Sequence, residues 1–152
     1  MNISTCMKRN VVSIPQTSTI REAAAVFVKE HVGLLPVVDG DQKLLGVVGL
    51  RELLALELPD FVSFVADVDF VHDFGAVETS HPPANILEQS IKALVKPAIT
   101  VHEDSGLLRA YSLMLQQELH DMPVVSEDGK LVGVASRVDI GTTILSAWAN
   151  VV

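Results

Sequence analysis

Ser136, Arg137 and Asp139 lie within four residues at the end of an apolar run, Gly133-Val134-Ala135. An acid one helical turn behind a hydroxyl and a cation suits a particular kind of ligand. A nucleoside needs an apolar slot for its base, a carboxylate for its vicinal ribose hydroxyls, and N–H or cationic groups for phosphate. Asp139, on the first turn of a helix, can accept two hydrogen bonds from the ribose, the role acids play in dinucleotide folds. Ser136 at the N-cap, with the free backbone N–H groups beside it, makes an anion site, and Arg137 adds a cation there. The same Ser136-x-x-Asp139 spacing is also an ordinary helix-capping pair, so both readings stand.

The elements that must position these residues occur twice. Met122-Pro123-Val124-Val125 precedes the Gly133–Ile140 stretch, and Pro36-Val37-Val38 precedes Gly46-Val47-Val48-Gly49-Leu50-Arg51-Glu52. Pro123 and Pro36, Lys130 and Lys43, Gly133 and Gly46, and Ser105 and Ser18 are all 87 positions apart. That offset holds without a gap from Val12–Leu53 to Ile99–Ile140, so the chain reads as one supersecondary unit written twice. At the positions of Ser136 and Asp139 the first copy has Gly49 and Glu52, losing the hydroxyl and lengthening the acid. One nucleoside site per chain, on the second copy, is the expectation.

Each copy is predicted as β-α-β-β-α, an α+β fold. In the first, Val11–Ile14 is a short β-branched strand, and Thr19-Ile20-Arg21-Glu22 has capping-box spacing. Ile20, Ala23, Ala24, Phe27, Val28 and His31 then share one helical face, which makes His31 a half-buried core residue. Leu34–Val38 and Lys43–Val48 flank Asp39-Gly40-Asp41, a hairpin signal, and a helix follows from Leu50 to Leu58. The second copy gives a strand at Ile99–Val101, a helix from Ser105 to Glu118, and strands Met122–Val125 and Lys130–Ala135. A last helix from Arg137 to Asn150 offers Ile140, Ile144, Leu145 and Trp148 at helical spacing, a stripe expected at a subunit interface or across the halves. Residues 1–58 form the first repeat with a lead-in that docks Met7 on the core, 59–90 an insertion, and 91–152 the second repeat. Within the insertion, Phe61–Phe74 mixes apolar and acidic positions, and Asn85–Val95 then looks helical and leads into the second copy.

Composition narrows the partners. Net charge is −8, which repels a phosphate backbone and argues against nucleic acid. Apolar residues make up 49% of the chain, enough for a core and for a surface buried between chains. Cys6 is the single cysteine, so no internal disulfide forms and a reducing compartment fits. No signal-peptide pattern opens the chain, and no apolar run reaches the ~20 residues that span a bilayer, so the expectation is a cytoplasmic protein. Asp67, Asp69, His72, Asp73, Glu78 and His81 could in principle gather a divalent metal. Their spacing matches no standard site, and a solvated acidic loop is the simpler reading. Cys6 lacks a resolving partner, and no Ser-His-Asp order, P-loop or GxGxxG run is present, so an enzyme has little to stand on.

Taken in order, these motifs resemble a tandem pair of CBS (cystathionine β-synthase) domains, a Bateman module. The lead-in Cys6-Met7-Lys8-Arg9-Asn10-Val11-Val12, the apolar-Pro-Val-Val strands and the Gly-Val-x-Ser-x-x-Asp turn carry the likeness. The resemblance implies two repeats packed about a pseudo-two-fold axis, a flat homodimer, and an adenosine-containing ligand between the repeats. It also implies that Thr100, Met122 and Pro123 line the base end of the cleft, and that His120 faces phosphate. Asp121 follows His120, and two like charges about 4 Å apart repel by ~4 kcal/mol at an effective dielectric of about 20. AMP, ADP with a metal, or S-adenosylmethionine therefore suits the charge balance better than free ATP. The expected function is a regulatory sensor, with no required cofactor, acting on a partner protein. The alternative is a constitutive dimerisation or scaffold module with an empty cleft.

Overall fold

The protein is described by a computed structural model over residues 1–57 and 81–151. The Phe61–Phe74 segment and the candidate ligands Asp67, Asp69, His72, Asp73 and Glu78 lie outside the described residues. The first half runs β1 (Ile14–Pro15), α1 (Ile20–Glu30), β2 (Leu34–Val38), β3 (Leu44–Gly49) and α2 (Leu50–Leu54). The end of the insertion forms α3 (Ala84–Leu87), and a 3-10 turn follows at Ile91–Leu94; residues 88–90 separate the two, so they are not joined in one helix. The second half runs β4 (Val101–His102), α4 (Leu107–Gln116), β5 (Asp121–Val125), β6 (Leu131–Ser136) and α5 (Arg137–Ala149).

Each half is a three-stranded sheet with its middle strand, β2 or β5, parallel to one neighbour and antiparallel to the other. A parallel pair cannot be joined by a tight turn, which is why α1 and α4 intervene. The predicted repeat extends to hydrogen-bond register: Ile14 pairs with Val37 and Val101 with Val124, and both hairpins shift register at the same place, Val37/Val38 and Val124/Val125.

Local chemistry explains the boundaries. Thr19 caps α1 by accepting the Glu22 N–H at 3.0 Å, as its spacing predicts. Asp39 closes the first hairpin by accepting the Asp41 and Lys43 N–H groups at 2.8 and 3.0 Å. The helix after β3 is shorter than the predicted Leu50–Leu58 and ends at Leu54. Two face assignments on α1 are corrected. Val28 is 78% exposed, and His31 is exposed as well, because the helix stops at Glu30 and His31 turns left-handed (φ 56°) as its C-cap. Among the described residues, no helix is long and apolar enough to cross a membrane.

The core is double and crossed. Ile14, Ile20, Ala23, Phe27, Leu35, Val37 and Val48 fill the first half, and Val101, Leu107, Ala110, Met114, Met122, Val124 and Ala135 fill the same positions in the second. The segment leading into each half packs on the other half. Ile3 and Met7 enter the second-half core, whereas Ile91 enters the first. The Ile3 N–H donates to the Ser105 carbonyl at 2.9 Å, and the Ile91 N–H donates to the Ser18 carbonyl at 2.8 Å. Lys8 and Val134 exchange backbone hydrogen bonds, as do Val47 and Lys96. The two hairpins also meet, with Leu44 donating to Gly129 and Leu131 to Gln42. These reciprocal contacts describe a pseudo-two-fold arrangement held by two crossing straps.

The straps lie directly on glycines. A Cβ at Gly46 would fall 2.6 Å from the Lys96 carbonyl oxygen and 2.6 Å from Val95 Cγ1. At Gly133 it would fall 2.6 Å from Met7 Sδ and 2.9 Å from the Lys8 carbonyl oxygen. Overfilling such contacts costs about 1–3 kcal/mol. Both Gly46→Ala and Gly133→Ala should therefore lower the urea midpoint. Gly46→Ala should do so more, because backbone yields less readily than a methionine side chain.

Candidate functional site

The junction of β6 and α5 places the residues whose spacing suggested a ligand. Ser136 is extended (φ −104°, ψ 160°) and its hydroxyl accepts the Asp139 N–H at 3.0 Å. The capping reading of this pair therefore describes the main-chain contact. It leaves the Asp139 carboxylate unused: Oδ2 is buried and has no hydrogen-bond partner. Lys8, carried over from the N-terminal strap, has its Nζ 3.9 Å away. Its side chain is 72% exposed against 25% for Asp139, so the pair is loose and water-screened. An orphaned carboxylate oxygen beside a movable cation can accept hydroxyl protons from a ligand without breaking an existing bond.

Cys6 lies in the same corner. Burial lifts its thiol above the ordinary range, opposed by a Thr143 hydrogen bond and reinforced by the Asp139 charge. A thiol held protonated in this way is a poor nucleophile.

Next to this corner is a cleft of about 220 Å³ between the halves. The strap contributes Lys8, Asn10 and Val12, the α1–β2 connection contributes His31, the start of β2 contributes Leu34, and the second half contributes Asp121. Apolar, hydrogen-bonding and charged groups thus converge on one gap.

The residues expected at the site divide. Ser136, Arg137, Asp139 and His120 come together: Arg137 N–H donates to the His120 carbonyl at 3.1 Å, and Asp121 pairs with Ser136 across β5 and β6. Arg137 is partly committed, because its Nε donates to the Leu119 carbonyl. His120 is exposed. Met122 and Pro123 are fully buried within β5. Thr100 lines a different recess, of about 310 Å³, between β4 and α4 with Ser105 and Arg109. The sequence reading did not assign Lys8, Asn10, Val12 or His31 to the cleft. The signal for Lys8 was its counterpart Lys96, 88 positions on and likewise directly after an apolar residue.

The first half repeats the turn with different chemistry. Gly49 caps α2 with no side chain, and Glu52 Oε1 lies 2.5 Å from Lys96 Nζ. Burial opposes ionisation of Glu52, but the Lys96 ammonium and adjoining backbone amides outweigh it and hold the carboxyl below its ordinary value. Among the described residues, no three His, Cys, Asp or Glu side chains are gathered to hold a metal. His81 is exposed, with Nδ1 2.9 Å from the Pro82 carbonyl oxygen.

The family described as CBS domain matches residues 3–58 and 91–145. Among curated proteins, the chain is 28% identical to the CBS domain-containing proteins CBSX1 and CBSX2 of Arabidopsis thaliana, both described as chloroplastic, over 138 and 142 residues. Each alignment covers 88% of this chain but 58% of the relative, so the chain spans little more than half their length. Among solved structures, CBSX2 superposes with a TM-score of 0.76 at 23% identity, covering 99% of this chain and 98% of that one. A CBSX2 structure described as a complex with AMP gives 0.73 at 22% identity, covering 97% and 98%. The CBS pair of MJ0100, described as bound to methylthioadenosine and S-adenosylmethionine, gives 0.65 at 18% identity, covering 97% and 98%.

Proposed function

The chain belongs to the CBS domain family, with two copies of the domain, and from that premise we propose that it is a regulatory module for an adenosine-containing ligand. The ligand enters the cleft between the halves and bridges them. The carrying observation is the buried, unpartnered Oδ2 of Asp139 beside Lys8. In this reading Asp139 accepts the ribose hydroxyls, Lys8 swings from Asp139 to the ligand's anionic end, and the apolar edges of Val12 and Leu34 receive the base. Asp121 on the cleft wall disfavours a polyphosphate, so AMP or S-adenosylmethionine suits the site better than ATP. The complexes described for CBSX2 and MJ0100 support this ligand class.

Ligand acts by favouring one packing of the two halves over another, and a partner protein reads the difference. The role is binding rather than catalysis, and the lone thiol of Cys6 suits a reducing compartment such as the cytoplasm. Calorimetric titration with AMP, ADP, ATP, NAD and S-adenosylmethionine tests the reading: one of them should bind, and silence across the panel would count against it.

The working unit in this reading is a homodimer. The apolar stripe of α5 splits, with Ile140 and Ile144 turned to the core while Leu145 and Trp148 stay 49% and 67% exposed. The exposed leucine and tryptophan, one turn apart on one helix, support this helix as the surface that a second copy covers. Leu145→Asp with Trp148→Ala should convert a dimer to a monomer by light scattering. A dimer that persists through both changes would place the interface elsewhere.

A further inference from the structure

The two copies of the turn differ in what occupies them. In the second half, Ser136 caps the helix, and the short Asp139 side chain reaches toward the Lys8 strap without closing on it. In the first half there is no capping side chain, and Glu52 folds back over the place where one would stand: a Cβ added at Gly49 would collide with Glu52 Oε2, which like Asp139 Oδ2 is buried without a hydrogen-bond partner. The glycine and the longer acid are thus a matched pair, since any larger residue at 49 would drive the carboxylate out. Lys96 then fixes that carboxylate at 2.5 Å, whereas the backbones of both lysines are tied alike, Lys96 to Val47 and Lys8 to Val134. The Lys8 side chain stands off from Asp139 at 3.9 Å. Equivalent lysines on equivalent straps therefore make one tight and one loose contact.

We propose that the first-half turn is plugged from within: the Glu52 carboxylate takes the place of the missing cap at Gly49 and is clamped there by Lys96, which withholds it from a ligand, so the chain takes one ligand and not two. The plug also makes the two straps unequal. The Lys96 side chain is held by its acid, and the Lys8 side chain is the one free to answer a ligand. The count of one ligand rests on the adenosine reading above, whereas the clamp itself does not.

Two measurements on the full chain separate these. In the ligand-free protein, Glu52→Gln keeps the shape of the side chain and removes its charge. Amide exchange at Val47 and Lys96 should then quicken about threefold or more, while Asp139→Asn leaves Lys8 and Val134 within about twofold. Titration of the unmodified chain with AMP should saturate at one equivalent. Unchanged exchange at Val47 and Lys96 in the Glu52→Gln protein, or saturation at two equivalents, would overturn the plug. Quickened exchange together with no AMP binding would uphold the clamp and count against the adenosine reading instead.

Discussion

Asp139→Asn should weaken binding of the adenosine ligand by roughly 30-fold to 1,000-fold while leaving the ligand-free protein about as stable as before. Hydrogen bonds to a charged acceptor are worth about 1.5–3 kcal/mol each, and a ribose offers two. Losing the charge on both gives about 2–4 kcal/mol, and each 1.4 kcal/mol is about tenfold in affinity. The free protein has little to lose. Asp139 Oδ2 has no hydrogen bond, Lys8 is loosely placed, and the helix cap uses the Asp139 backbone N–H, which asparagine retains. What remains is the favourable position of a carboxylate on a first helical turn, about 0.3–1 kcal/mol. Titration with AMP and S-adenosylmethionine beside a ligand-free melt tests both halves of the statement. Affinity in the Asp139→Asn protein equal to that of the parent would mean the ligand sits on other residues. Affinity lost together with the ligand-free melt would mean Asp139 holds the fold rather than the ligand.

Much of the architecture was legible because it depends on local pattern. A constant offset of 87 predicted two β-α-β-β-α units, and the offset reappears in strand register and in both cores. Thr19 as a cap and the Asp39 turn follow from side chains acting within four residues of themselves. His31 was misplaced because periodicity carries no mark for the residue at which a helix stops, and that residue turned the ring outward. The lead-ins were harder to read for a different reason. Their partners are 88 apart rather than 87, and which half a strap packs on is a tertiary choice that no local propensity encodes.

That crossing is what redistributes the site. The resemblance placed Thr100 and Asp139, both in the second repeat, in one cleft. The strap instead carries Lys8 and Asn10 across, and the end of α1 and start of β2 supply His31 and Leu34. The cleft beside Asp139 is therefore walled largely by the first repeat, and Thr100 opens on another face. Ligand affinity should accordingly depend on residues before position 40 as much as on the Ser136–Asp139 turn.

The same crossing sets the second large expectation, the effect of Ile91→Ala. Ile91 follows the insertion and so belongs by sequence to the second repeat, yet it is fully buried in the first-half core with Ile20, Phe27 and Leu35. Trimming a buried isoleucine to alanine costs about 2–5 kcal/mol, because transfer and cavity terms add. Against a whole-domain stability of about 5–15 kcal/mol, that is a large share. The loss should fall where the side chain packs. Amide exchange should quicken first in α1, β2 and β3, in the half to which Ile91 is not contiguous. Ile3→Ala should do the converse, loosening α4, β5 and β6, since Ile3 is buried there beside Met114 and Met122. If the straps bind the halves into one cooperative unit, urea unfolding of both variants stays a single transition with a lowered midpoint. Exchange that quickens in the contiguous half instead would show that the straps do not cross in solution. Two separate unfolding steps would show that they cross without coupling, and a ligand bridging the cleft would then have no common structure to shift.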